Sequence, residues 1–220
     1  MASQANSIVR TNRNLGLPDG LPVTVAIEEI ASQAPTSTTP NITVPVDPKW
    51  HDYRQVLVKI ENVKVATDND PSCNWSVQKS DGSGSSLMVI DDVLFKATSC
   101  PNRPVVDTVF GSVTGFSTWS ISKTALAPRS DGDLGGCDPL GQECGTLGCY
   151  LVTEGAWGCA PVGTVARSQP CGAPNACLKG FACVYNNVED VCMQVCNPLG
   201  GSPSCTIGTC TAQGSYGLCL

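Results

Sequence analysis

Imidazole is almost missing from this chain. His51 is the only histidine among 220 residues, so any Ser-His-Asp triad would have to use it. It sits between Trp50 and Asp52 at the end of a proline-rich stretch, and it reads as a surface or anchoring residue. No Gly-x-Ser-x-Gly elbow occurs either. The Ser-Gly run at 81–86 has the wrong spacing and would join strand to strand rather than strand to helix. Charge is scarce too. Only 15% of residues are charged, and the net charge of −6 is split evenly between residues 1–136 and 137–220. With no basic patch, binding to a nucleic-acid backbone lacks its electrostatic drive. No apolar run is long enough for a transmembrane helix. Residues 1–6 are polar and carry no signal-peptide core. These absences argue against a hydrolase of the common types, a nucleic-acid binder and a membrane-spanning helix.

Cysteine is what the chain has in excess. Twelve of its fourteen cysteines lie between Cys137 and Cys219, in three groups of four. The groups are Cys137, Cys144, Cys149 and Cys159; Cys171, Cys177, Cys183 and Cys192; and Cys196, Cys205, Cys210 and Cys219. In each, a short glycine-containing step joins the second Cys to the third, and eight or nine residues separate the third from the fourth. That last run has turn chemistry at its middle: Glu154-Gly155, Asn186-Asn187 and Gln213-Gly214-Ser215. Gly and Asn tolerate the positive φ of tight hairpin turns. The reading is an internal repeat of hairpin units over 137–159, 171–192 and 196–219. A unit of this size cannot bury enough apolar area to offset its chain entropy, so it needs staples.

Zinc is the competing use of clustered cysteines. Zinc knuckles keep two to four residues between ligands and often add histidine. Here the tightest step inside a unit has four, and the region has no histidine. Disulfides are the expectation, and with them an oxidising compartment. Four cysteines allow three pairings. First-to-third with second-to-fourth is favoured, because it crosses the two loops and holds each hairpin against its leader. Cys73 and Cys100 lie outside the repeat, in loops, and are expected to pair with each other. The polar N-terminus is reconciled with export by a mature chain whose leader has been removed.

Along the chain, residues 1–48 read as an extended arm rich in Pro, Ser and Thr. Leu21–Ile30 starts extended, then sets Ile27, Ile30 and Ala31 at helical spacing. Val23–Val25 and Ile42–Val46 are β-prone. Such an arm either docks on its own chain or reaches a neighbour. Trp50, His51 and Tyr53 are expected to anchor it. From Tyr53 the pattern is β. Val56, Val58 and Ile60 alternate, and Val63 and Val65 follow on the opposite parity, which predicts a bulge between 60 and 63. Further strands are predicted at 74–79, 86–91, 107–116 and 119–126, with Gly111 and Gly115 where a barrel must bend. Five short strands, the first long and bent, match a small Greek-key barrel over 49–134. Residues 135–220 form the Cys-rich domain, and 131–136 read as the boundary between the two.

Three stretches carry a resemblance: Tyr53–Val65, Leu87–Phe95, and Val113–Gly115 running on through Leu126–Ser130 to Asp133. Together they resemble the OB-fold-like domains of large secreted or lipid-anchored bacterial surface proteins. The resemblance implies a barrel and a surface location, with no assigned activity.

The remaining candidates for chemistry are few. Asp68 with Asp70 and Asp91 with Asp92 read as turn formers, since glycosidase carboxyls must face each other across a cleft. Asp131, Asp133 and Asp138 resemble part of a calcium loop, but without the bidentate Glu that would close it. Arg167-Ser168 offers a basic residue for a protease pocket, although inhibitor loops are normally held by flanking disulfides. Trp75, Phe110 and Trp119 could stack a sugar ring on the barrel face, or fill its core. The expected fold is all-β: an OB-like barrel followed by three stapled hairpins. The expected function is a non-catalytic structural or adhesion module, with protein partners or self-assembly through the arm. The alternative is a carbohydrate- or oligomer-binding accessory of a secreted enzyme.

Overall fold

The structure is a computed structural model that describes residues 21–33, 50–67, 74–83, 86–91, 94, 104–120, 123–153 and 155–220. Its first part closes into a five-stranded barrel. The strands are β3 (Leu57–Thr67), β4 (Trp75–Lys79), β5 (Ser86–Ile90), β6 (Val109–Ser120) and β7 (Lys123–Ala127). They run in the order β3-β4-β5-β7-β6, and β6 pairs back onto β3. All contacts are antiparallel except β5 with β7, which is parallel. That is the Greek-key barrel of OB type.

The long first strand shows why its parity switches. Val58, Ile60, Val63 and Val65 are all fully buried, while Glu61 and Asn62 between them are exposed. Asn62 has φ 53°, a left-handed conformation that Asn tolerates. It turns the strand so that both halves face the core. The register with β6 runs unbroken past this point, and the bulge proper lies further on, between Val65 and Thr67 against β4. Of the two glycines placed at the barrel's bends, Gly115 is the tighter. A Cβ there would come within 2.7 Å of the Ala127 backbone.

Residues 21–33 are part of this barrel rather than a free arm. β1 (Val23–Thr24) adds to β3 in parallel, Val23 beside Val58. The one-turn helix α1 (Ile27–Ile30) follows, and Ile27, Ile30 and Ala31 are all buried as their spacing predicts. β2 (Ser32–Gln33) then pairs with β5. A second one-turn helix, α2 (Trp50–Tyr53), precedes β3, and the Tyr53 hydroxyl donates to Glu29 at 3.3 Å. The second β-prone run, Ile42–Val46, lies outside the described residues.

The boundary expected at 131–136 is a structured joint. Asp131–Asp133 form a 3-10 turn, and β8 (Leu134–Gly135) pairs with β6. Beyond it come three hairpins: β9 (Gly148–Leu151) with β10 (Trp157–Ala160), β11 (Phe181–Tyr185) with β12 (Asp190–Cys196), and β13 (Cys210–Ala212) with β14 (Gly217–Cys219). The first continues the barrel sheet, Cys159 lying beside Val109 of β6. The other two share a four-stranded sheet through β12 and β14. The predicted fifth barrel strand, 119–126, begins later than expected. Trp119 still belongs to β6, opposite Thr124, so the turn falls after Ser120.

Candidate functional site

Each Cys unit is built the same way. The third and fourth cysteines face each other across the hairpin: Cys149 beside Cys159, Cys183 beside Cys192, Cys210 beside Cys219. Their turns carry the positive φ that the sequence implied, at Gly155 (98°), Asn187 (78°) and Gly214 (88°). The facing cysteines are not bonded to each other. Each reaches back to the leader: Cys137–Cys149 and Cys144–Cys159, Cys171–Cys183 and Cys177–Cys192, Cys196–Cys210 and Cys205–Cys219. This is the crossed arrangement favoured from the sequence. Cα–Cα distances of 5.5–5.9 Å sit in the unstrained range. The crossing brings three sulfurs of each unit within 4.8 Å of one another. All are already bonded in pairs, and it is the free thiolate that ligates metal. Cys73 and Cys100 lie outside the described residues.

Side chains finish what the disulfides begin. Gln142 lies along β9, donating to the carbonyls of Pro139 and Cys149 and accepting from the Cys149 N–H at 3.1 Å. Asn186 accepts from the N–H groups of Val188 and Glu189 and so fixes the second turn. Tyr150, wholly buried, donates its hydroxyl to the Cys177 carbonyl at 2.9 Å and joins the first unit to the second. Burial pushes its pKa up. Trp157 and Tyr216 pack edge to face at 4.9 Å, joining the first unit to the third. Spacing alone gave no signal for these links, because each joins residues from different units or fills a gap within one.

The candidate calcium ligands each have a protein partner. Asp133 is buried and grips Arg129 through both carboxylate oxygens, at 2.7 and 2.9 Å, and also accepts the Arg129 backbone N–H. Hydrogen bonding to Arg129 holds its carboxyl below the ordinary range. Asp131 accepts from the Thr153 hydroxyl at 3.1 Å, and Asp138 from the Leu140 N–H at 2.9 Å. Three different partners draw the three carboxylates to three tasks. Ser130 between them is extended and the 3-10 turn begins only at Asp131, so the spacing of Arg129 and Asp133 carried no helical signal for this pair.

Of the three aromatics read as either a stacking face or core, two fill the core. Trp75 is 8% exposed and Phe110 0%, and their rings pack at 5.7 Å inside the barrel. Both fall on core-facing positions of their strands, where burial of a large ring outweighs keeping it free to stack. The side chain of Trp119 lies outside the described ones. The protease-inhibitor role that the sequence disfavoured for Arg167-Ser168 gains no support. The connector is strapped down by Val165 bridging Cys177 and by Ser168 N–H donating to the Cys192 carbonyl. Arg167 lies against the third unit near Gly208, with Nη1 buried and no hydrogen-bond partner. It does not project. His51 falls in α2, with its side chain outside the described ones. Asp68, Asp70 and Asp92 are outside the described residues, while Asp91 is buried beside β5.

No protein-family model matches the chain, and no curated protein or solved structure matches it.

Proposed function

We propose that this chain is an exported, non-catalytic structural or adhesion module of a surface or secreted assembly. The observation that carries the reading is the crossed stapling of all three units, the first of which continues the barrel sheet. Six disulfides in so short a region belong to an oxidising compartment. Among the described residues no helix is long and apolar enough to cross a membrane. The resemblance of 53–133 to OB-like domains of bacterial surface proteins supports the same location. The buried Trp75 and Phe110 weigh against the alternative of a carbohydrate accessory working through the barrel face.

The self-assembly part of the reading takes a narrower form. The run at Val23 is already paired within its own chain, so donation to a neighbour would fall to residues 1–20 or 34–48. The test uses the intact chain on arrays of extracellular proteins and glycans, beside a panel of hydrolase and transferase substrates. Sedimentation of the chain with and without residues 1–20 accompanies it. Saturable protein binding without turnover is expected. Turnover of any substrate by the purified chain sinks the reading.

A further inference from the structure

β9 and β11 pack side by side but belong to different sheets. Between the hairpins they begin lies a cleft of about 310 Å³. Its most buried lining residues are Val152, 1% exposed, Cys171 and Thr153, and the Cys171–Cys183 disulfide forms part of its wall. Its polar side chains are three: Thr153, Tyr185 and Asp190. The cleft matches the small end of the ligand-pocket range, roughly 300–1,000 Å³. That is room for one side chain rather than an oligosaccharide.

The chemistry of the lining selects its occupant. Tyr185 is 65% exposed and stands directly opposite Asp190 across the hairpin. Side chains paired in that way share a face and lie within contact distance. A phenol ring and a carboxylate are thus set side by side at the mouth of an apolar hollow. The Thr153 hydroxyl is already given to Asp131, which leaves the Asp190 carboxylate and the Tyr185 phenol as the other polar groups of the lining. An anion finds no cation: the only bases in 137–220 are Arg167 and Lys179. Arg167 lies beside Gly208, and Lys179 donates to the Gly145 carbonyl. Neither lines the cleft. A cation on an apolar stem satisfies every element: stem on Val152 and Val184, charge on Asp190, and the Tyr185 ring beside it as a cation–π partner.

We propose that this cleft takes an exposed lysine side chain of a partner protein. The inference stands on the cleft alone and goes beyond the structural-module reading. The test is a titration of the intact, oxidised chain with acetylated and amidated tetralysine, followed by amide NMR. The same peptide with its ε-amines acetylated, tetraglutamate and a neutral oligosaccharide serve as controls. Tetralysine is expected to shift the amides of 151–153 and 183–190, and the controls are not. Asp190→Asn should weaken binding about two- to fivefold, the range for losing an exposed charge pair. Tyr185→Ala should weaken it about threefold through the lost cation–π contact. Glu143→Gln removes the same charge from an exposed site outside the cleft, and should leave affinity unchanged. An unchanged disulfide map shows each variant folded. The proposal is overturned if tetralysine shifts no cleft amide, if the oligosaccharide binds there instead, or if Glu143→Gln matches Asp190→Asn.

Discussion

In β3 of the barrel, Val58, Ile60, Val63 and Val65 are all wholly buried, and the strand has partners on both edges. In β13 of the third unit no residue is buried, and β14 alone is its partner. Both are antiparallel β-pairs. The barrel holds its pairs by closing them into a ring around a shared apolar interior. Among the described residues the second and third units leave outer edges open; Tyr150, Val152, Ala156 and Ala160 of the first unit join the barrel's core, and the separate apolar cluster spanning the three hairpins holds only Cys149, Trp157, Ala182, Val195 and Leu218 as buried members. An interior that thin cannot offset the entropy of ordering its loops. Covalent bonds across stretches of 12–15 residues take over that role.

The comparison breaks most readily under reduction. A native disulfide in a small domain is typically worth about 2–5 kcal/mol. Reducing and alkylating the chain should therefore collapse amide protection throughout 137–220 while β3 to β7 keep theirs. Hydrogen exchange read by mass spectrometry checks this, and equal loss in the barrel would end the contrast. The converse perturbation is Ile60→Ala, which should cost about 2–5 kcal/mol in urea unfolding through the cavity it leaves. The disulfide map should not change. Gly115→Ala should cost about 2 kcal/mol, because its methyl would be forced against the Ala127 backbone; the midpoint of urea unfolding reports it.

Two smaller effects fall on side-chain links, one at the joint between the regions and one between the first two units. Asp133→Asn should cost about 1.5 kcal/mol at neutral pH, the low end for a charged hydrogen bond because Arg129 is half exposed. The sign with pH follows from the lowered carboxyl of Asp133. Its contribution is full above the ordinary Asp value of about 4 and is lost as pH falls through the lower folded value. Wild type should lose stability over that acid window, and Asp133→Asn should lose less. Tyr150→Phe should cost about 1 kcal/mol, the usual worth of one hydrogen bond. That loss should appear as faster exchange where the first and second units meet.

The barrel was legible because its strands alternate. Val56 to Val65 showed a change of face before any partner was known, and the helical spacing of Ile27, Ile30 and Ala31 marked the part of the arm that is buried. The crossed pairing was legible because each unit repeats one spacing three times. What could not be read was contact between distant stretches. Nothing near Val109 announces Cys159 as its neighbour, and Leu134–Gly135 looked like a linker because two residues cannot show a period. Trp75 and Phe110 carried equal meaning as core or as platform until burial decided. The cleft was unreadable for the same reason: Thr153 and Asp190 meet only through the packing of two hairpins.

The crossed bonds also fix how the units respond to a broken backbone. Number the four cysteines of a unit in order, with bonds from first to third and from second to fourth. A single cut between the first and second leaves the first tied to the third. A cut between the third and fourth leaves the second tied to the fourth. A cut in the middle is spanned by both bonds. Sequential pairing, first to second and third to fourth, would instead let a middle cut release half the unit. Any one peptide bond inside 137–159, 171–192 or 196–219 can therefore be severed without parting the chain, and between Cys137 and Cys219 the breaking points are the connectors 160–170 and 193–195.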